Sequence, residues 1–216
     1  MPGVQIKLAP VGEKLEMRVK GPNVTPGYFA RDDLTREVFD EEGFYRTGDA
    51  GRLEDPDDPN KGLVFDGRVV EDFKLTTGTF VSVGNLRVAA LAAASPLLQD
   101  AVVCGEGRDA VALLAWLNPA AAREIAGEPE ADAAALVRSP AVAEFVRSRF
   151  AAYNRLNPAS STRVERVILL AEPPSLDANE ITDKGYVNQR AALQRRSGQV
   201  EALFADPPGG EVILCR

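Results

Sequence analysis

The sequence predicts an α+β protein, with a small antiparallel β subdomain followed by a larger unit of mixed helices and strands. Three observations predict it. Apolar residues alternate with polar ones near the N-terminus, at Val4, Ile6 and Leu8 and again at Leu15, Met17 and Val19, the period of half-buried strands. Val142, Phe145, Val146, Phe150 and Tyr153 recur at helical spacing. VERVILLAE, 164–172, is a continuous apolar run, as expected of a strand buried on both faces.

The remaining elements follow in order. GPNVTPGYF is punctuated by Gly21, Pro22, Pro26 and Gly27 and reads as loop. A turn at Glu42-Gly43 leads into a strand over about 44–54, the polar run DPDDPNKG (55–62) turns the chain, and LVFDGRV returns as a strand. The character shifts near Gly67-Arg68. Asn85 to Ala94 reads as a short helix, and 99–118 as two apolar strands around a Gly-containing turn. Residues 129–138 suit a short helix. Ser139 and Pro140 sit as N-cap and first residue of the next one. After the loop PPSLDANE, a last helix is expected to begin near Lys184, capped by Thr182 or Asp183, and to run through ALQRR. The expected divisions are 1–68, 69–206 and a tail, 207–216, whose Pro-Pro-Gly-Gly suggests a loosely held end.

Composition excludes several chemistries. The 216 residues include no histidine and carry a formal charge of −7. Without histidine there is no Ser-His-Asp relay and no histidine zinc site. A net acidic surface disfavours nucleic acid as partner. No apolar run approaches a membrane span, no secretory leader is visible, and two distant cysteines, Cys104 and Cys215, suggest reduced thiols. The expectation is a cytoplasmic protein with small-molecule partners and neither nucleic-acid nor membrane partners.

Three segments could carry chemistry. In YRTGD, Asp49 presents two acceptor oxygens that match a vicinal diol such as a ribose; a turn aspartate solvating a strand end has the same look. In DGRVVEDFKLTTGTFVSVG, Arg68 and Lys74 precede the pair Thr77-Gly78. They suit a hinge meeting an anionic ligand, and equally surface cations paired with Glu71 and Asp72. In ITDKGYVNQR, Lys184 offers a point charge on a long stem, able to stabilise negative charge in phosphoryl or nucleotidyl transfer. A solvated lysine fits the same letters.

In this order and at these spacings, the segments resemble the C-terminal part of the adenylate-forming (AMP-binding) enzymes, which include acyl-CoA synthetases, luciferases and peptide-synthetase adenylation domains. EDFKLTTGTFVSVG together with EITDKGYVNQR is most similar to feruloyl-CoA synthases and related aromatic acyl-CoA ligases. The resemblance covers about Gly3 to Arg196. It implies that 1–68 is the last β subdomain of a large N-terminal domain and that 69–206 is the mobile C-terminal lid. It implies that Asp49 holds the ribose of ATP or AMP, with Arg68 on the ribose or phosphate. Lys184 would be the catalytic lysine between substrate carboxylate and α-phosphate. Arg68, Val69 and Val70 would form the hinge; Lys74, Thr77 and Gly78 would face the CoA thiol. ATP or AMP, CoA and, in a full-length parent, Mg2+ are the implied cofactors, and a carboxylic acid such as ferulate the substrate.

The match has departures. Many members carry Asp or Lys two positions after the hinge arginine, where this chain has Val70, leaving Glu71 or Asp72 as polar substitutes. The glycine after Lys74 falls one residue late, which displaces Gly78 and Thr79 from the common pattern. The family's phosphate-cradling loop and its carboxylate pocket are absent, so the chain is expected to be a C-terminal fragment that is inactive alone and needs the N-terminal domain as partner. Two other readings accompany this one: a non-catalytic interaction module, and an adenylating enzyme with an acceptor other than CoA.

Overall fold

The alternating positions at the N-terminus form a four-stranded antiparallel meander. The computed structural model describes residues 3–11, 14–69, 71–182 and 184–215; Val70 and Asp183, both singled out above, lie outside the described residues. Strands β1 (Gln5–Val11), β2 (Lys14–Lys20), β3 (Tyr45–Leu53) and β4 (Leu63–Arg68) are hydrogen-bonded in that order. Ile6 pairs with Val19 and Leu8 with Met17, so the period-two reading of both strands translates into cross-strand apolar pairs. Helix α1 (Asp32–Val38) lies between β2 and β3. The polar run before β4 contains one tight helical turn, Pro59–Lys61, capped by the Asp58 side chain.

By its contacts the chain divides into Met1–Asp72 and Phe73–Arg216. The first unit is held mainly by polar groups. Arg18 bonds Glu16 at 2.7 Å and Asp40 at 3.0 Å, and Lys7 reaches Asp40 and Glu42 at 2.7 Å each. The hydrogen bond from Lys7, ahead of those from Phe44 N–H and Arg18, holds the Asp40 carboxyl well below the usual carboxylate range. Among the described residues of this unit only Ala9 and Ala50 are buried apolar side chains, while Ile6, Phe29 and Phe65 are 53%, 101% and 60% exposed.

The second unit has a true core. A two-stranded ribbon, β5 (Phe73–Lys74) and β6 (Phe80–Val81), precedes helix α2 (Val83–Ala93) and strands β7 (Leu98–Cys104) and β8 (Val111–Leu117). Helices α3 (Pro119–Ala126), α4 (Ala133–Leu136) and α5 (Pro140–Leu156) lead to β9 (Val164–Leu170), followed by α6 (Gln189–Arg195), α7 (Ser197–Phe204) and β10 (Ile213–Leu214). The sheet order is β10-β9-β8-β7, with β8 and β9 parallel and the other pairs antiparallel. Alternate residues of the strands face opposite ways. Val103, Leu113, Ala115 and Val167 pack against Leu86 of α2 and Val146 and Phe150 of α5. Val102, Leu114, Trp116 and Ile168 pack against Ala192 of α6 and Leu203 of α7. Two covered faces explain why β8 and β9 read as continuous apolar runs, each buried Leu or Ile contributing about 1.5–3 kcal/mol.

Several expectations are corrected. Lys184 does not start a helix. The N–H of Thr182 bonds Tyr186 C=O at 2.8 Å, Ile181 bridges Val187 and Gly185 has φ +82°. That conformation favours glycine and stops a right-handed helix. The helix begins at Gln189, capped by Asn188, whose Oδ1 accepts the Ala191 N–H at 3.2 Å. The tail is not loosely held either. β10 pairs with β9, and the buried Asn154 side chain donates to Val164 C=O and Cys215 C=O at 2.7 Å each, tying α5 to both ends. The short helix expected over 129–138 is confined to α4, capped by Asp132. Pro140 opens α5, but the Ser139 side chain makes no capping bond.

The loop between β9 and α6 is anchored by a buried ion pair. Arg196 Nε donates to Glu180 Oε1 at 2.7 Å and its Nη2 to Oε2 at 3.1 Å; the side chains are 2% and 0% exposed. Ser175 N–H also bonds Glu180, at 2.9 Å, and the Arg196 guanidinium lies 5.2 Å from the Trp116 ring centroid. Burial pushes the Glu180 carboxyl up, but the bonds from Arg196 and Ser175 and the charges of Arg196 and Arg195 outweigh it and leave it lowered.

Removing one partner strands the other charge in the interior, so Glu180→Ala should destabilise the second unit by about 3–5 kcal/mol, read from urea unfolding followed by Trp116 fluorescence. Because the native carboxyl titrates below its unperturbed 4.5, the stabilisation is complete above that value and is lost as pH falls from it toward the lowered native value. Thermal midpoints through the acid range should therefore fall less steeply in Glu180→Gln than in the native chain. The uneven cores predict uneven hydrogen exchange: amides of β8 should be protected by an order of magnitude or more beyond those of β1–β4, and equal protection would contradict the described packing.

Candidate nucleotide-facing residues and the lysine hairpin

Asp49 and Arg68, nineteen residues apart in the chain, are brought together by strand register. They face each other across β3 and β4, and Arg68 Nη1 lies 3.3 Å from Asp49 Oδ1. Their side chains are 36% and 49% exposed, so the pair is open to solvent and to a ligand. The local backbone is built for the approach. Gly48 has φ +71°, and a Cβ there would lie 3.1 Å from Arg68 Nη2. Glycine thus supplies both the left-handed conformation and the room for the guanidinium. Glu16 accepts the Gly48 N–H at 3.0 Å, Thr47 Oγ1 donates to Met17 C=O at 2.6 Å, and Val69 N–H bonds Gly48 C=O at 2.8 Å. Two carboxylate oxygens beside a fixed guanidinium can accept from paired hydroxyls and attract an anion at the same place.

Of the two cations read alternatively as surface partners of Glu71 and Asp72, Arg68 pairs with Asp49. Asp72, weighed above as a polar pivot, is fully buried and ion-paired with Lys14, whose ammonium also bonds Asp66 C=O. A side chain so placed is part of the first unit's framework.

Lys74, Thr77 and Gly78 share one loop of the second unit. Leu75 N–H bonds Thr79 C=O and Gly78 N–H bonds Leu75 C=O, both at 2.9 Å. Thr76 N–H bonds Arg108 C=O and Gly107 N–H bonds Lys74 C=O, each at 2.9 Å, and Thr76 Oγ1 bonds the Asp109 carboxylate. The loop is thereby tied to the β7–β8 turn, with Thr77 and Gly78 exposed at its tip.

Lys184 stands on the separate hairpin 181–187. Gly185 N–H bonds Thr182 C=O at 2.9 Å, closing a tight turn whose tip exposes the lysine. No carboxylate among the described residues pairs with Lys184. The hairpin is fixed from behind. Asn188 N–H bonds Glu180 C=O at 2.8 Å, and the Gln189 side chain both accepts from Val103 N–H (3.0 Å) and donates to Val103 C=O (2.6 Å). Glu180, Gln189 and Arg196 escaped the sequence reading because their partners are distant in the chain; the one local signal for the turn was Gly185 directly after Lys184.

Both cysteines are buried and unbridged, their thiols pushed up to about 12 by burial, and therefore unsuited to nucleophilic work. Among the described residues no group of three or more acid, cysteine or histidine side chains could hold a metal, and no helix is long and apolar enough to cross a membrane.

Comparison with known proteins bears on the family. Carboxylic acid reductase of Segniliparus rugosus is 28% identical over 191 residues, covering 88% of this chain and 15% of that protein. The probable acyl-activating enzyme 16 of Arabidopsis thaliana, a chloroplastic protein, is 23% identical over 201 residues, covering 90% of this chain and 28% of the relative. The A-PCP didomain of the Segniliparus rugosus reductase, solved in complex with AMP, superimposes with a TM-score of 0.72 and 26% identity over 95% of this chain and 28% of its own. The chain thus spans less than a third of the length of these relatives. A family model described as the AMP-binding enzyme C-terminal domain matches residues 83–207, more than half of the chain, and the chain belongs to that family.

Proposed function

We propose that this chain is the C-terminal part of an enzyme that activates a carboxylic acid with ATP and passes the acyl group to a thiol, with an aromatic acid such as ferulate as substrate and CoA as acceptor. The observation that carries the reading is Lys184. In a chain of net charge −7 it is held at the tip of an anchored hairpin with no carboxylate partner among the described residues. A lysine on an exposed, anchored turn of an acidic protein is available to an external anion.

In the first half-reaction a carboxylate oxygen attacks the α-phosphorus of ATP, the P–O bond to pyrophosphate breaks, and an acyl-adenylate forms. Lys184 contributes electrostatically, drawing carboxylate and α-phosphate together and offsetting charge that builds between them. Asp49 accepts hydrogen bonds from the ribose hydroxyls, and Arg68 holds Asp49 in place while offering its remaining N–H groups to the nucleotide. In the second half-reaction a thiol sulfur attacks the acyl carbon and AMP leaves. The loop of Lys74, Thr77 and Gly78 would face that thiol, after rotation about a hinge of Arg68, Val69 and Val70 between divisions ending at 68 and beginning at 69. Mg2+ is expected with the phosphates, and the partner is the large N-terminal domain such enzymes carry. The reading places the enzyme in the cytoplasm.

The acceptor has a second reading. Similarity to a long-chain-fatty-acid–acyl-carrier-protein ligase of Arabidopsis thaliana, 22% identical over 202 residues, favours an enzyme whose acyl group moves to a thiol other than free CoA. The exposed Ile6, Phe29 and Phe65 support association with a further protein surface.

In an enzyme containing this chain, Lys184→Ala should lower ATP–pyrophosphate exchange by about 100- to 1,000-fold, while thiol attack on a supplied acyl-adenylate keeps its rate; equal losses in both assays would remove the assigned role. The purified 216-residue chain should show no ATP–pyrophosphate exchange, and turnover by it would overturn the division of labour. Offering CoA and a carrier-bound thiol in parallel to the intact enzyme distinguishes the two acceptors.

A further inference from the structure

The second unit contains a cleft of about 530 Å3 that none of the residues assigned above to nucleotide or thiol lines. Its size falls in the range of small-molecule sites, roughly 300–1,000 Å3. Trp116, Leu117, Leu136, Val137, Leu170 and Val187 form its apolar walls, between the ends of β8 and β9, helices α3 and α4, and the near side of the lysine hairpin.

Two charged side chains line it, and they differ in what they have left to offer. Asp100 is fully engaged: Arg87 Nη2 bonds both its oxygens, at 2.6 and 2.7 Å, and Nε adds a third bond at 2.9 Å. Its charge is neutralised in place. Arg123 commits only Nε, to Ala131 C=O at 3.1 Å. Among the described residues no carboxylate pairs with it, and its two terminal nitrogens make no hydrogen bond. The polar handle of Trp116 is spent as well, its indole N–H bonding Glu172 C=O at 2.8 Å while Arg196 packs on the ring. The cleft therefore offers a fixed aromatic wall, aliphatic walls and one uncompensated guanidinium.

We infer that this cleft binds a small amphipathic carboxylate, its flat apolar body against Trp116, Leu136 and Val187 and its carboxylate on the terminal nitrogens of Arg123. A guanidinium fork matches a carboxylate with two parallel N–H···O bonds, where a neutral amide offers poorer acceptors and no charge. Since Ile181, Gly185 and Val187 line the same cleft, the occupant would brace the hairpin that carries Lys184 from behind. The inference is independent of the proposed reaction, because binding here needs neither ATP nor a second domain.

The test titrates the 216-residue chain with naphthalene-2-carboxylate and, separately, naphthalene-2-carboxamide, followed by amide NMR and calorimetry. Saturable binding of the acid is expected, with shifts concentrated at Leu117, Val137, Gly185 and Val187 and amide binding weaker by about tenfold or more. Arg123→Gln should reduce acid affinity to that of the amide. Arg123→Lys should recover part of it, and Val137→Trp should abolish binding by filling the cleft. No saturation at millimolar acid, shifts centred elsewhere, or equal binding of acid and amide would overturn the site. The acid–amide comparison uses the native chain, so it decides the matter even if a variant fails to fold. Failure of the Lys184 experiments would leave this result untouched.

Discussion

The burial of β8 on both faces is the constraint on which the second unit depends. Every residue from Val111 to Trp116 is buried, so helices must cover both sides of one sheet. Helices α2 and α5 cover one face before the chain enters β9, and α6 and α7 cover the other after it leaves. The chain must therefore cross from one face to the other through residues 171–188. That crossing carries Lys184. The lysine is exposed because its segment passes around the end of the sheet, and it is positioned because Glu180 and Gln189, on either side of it, are fastened into the interior.

The two units solve the problem of holding an exposed cation differently. Arg68 sits on a sheet with little apolar core, kept in register by a network of Glu16, Arg18, Asp40 and Lys7 and by the glycine that lets its guanidinium approach the neighbouring strand. The Glu16, Arg18 and Asp40 side chains are only 8%, 14% and 6% exposed, and their bonds restrict where Asp49 and Arg68 can point. Lys184 sits on a short hairpin whose own hydrogen bonds are few and whose position is borrowed from a dense core beneath. The first arrangement suits recognition of hydroxyls and anions at an open surface. The second suits a charge that must reach outward while its base stays still.

Most of the element order could be read from the letters. Period-two alternation marked β1 and β2, helical spacing marked α5, and continuous apolar runs marked β8 and β9, because each depends on neighbours within a few residues. Relations between distant residues could not be read in this way. The pairing of Asp49 with Arg68 rests on a strand register with a bulge between Asp49 and Gly51. The Glu180–Arg196 pair spans a loop and a helix with no motif of its own. Arg123 belongs to no sequence motif; it comes to line the same cleft as Trp116 only through the fold. At Lys184 a capping pattern and the glycine that follows it point to different structures. The positive φ at Gly185 is a local requirement that turns the segment into a hairpin.

The clamp of Gln189 on Val103 has a consequence of another kind. β7 is the outer strand of the four-stranded sheet, and an outer strand presents unpaired peptide groups that can recruit a strand from another molecule. The Gln189 carboxamide offers the same donor and acceptor as a peptide bond and fills one such position from within the chain. The residue that secures the base of the lysine hairpin thus also shields part of the sheet margin against association between copies.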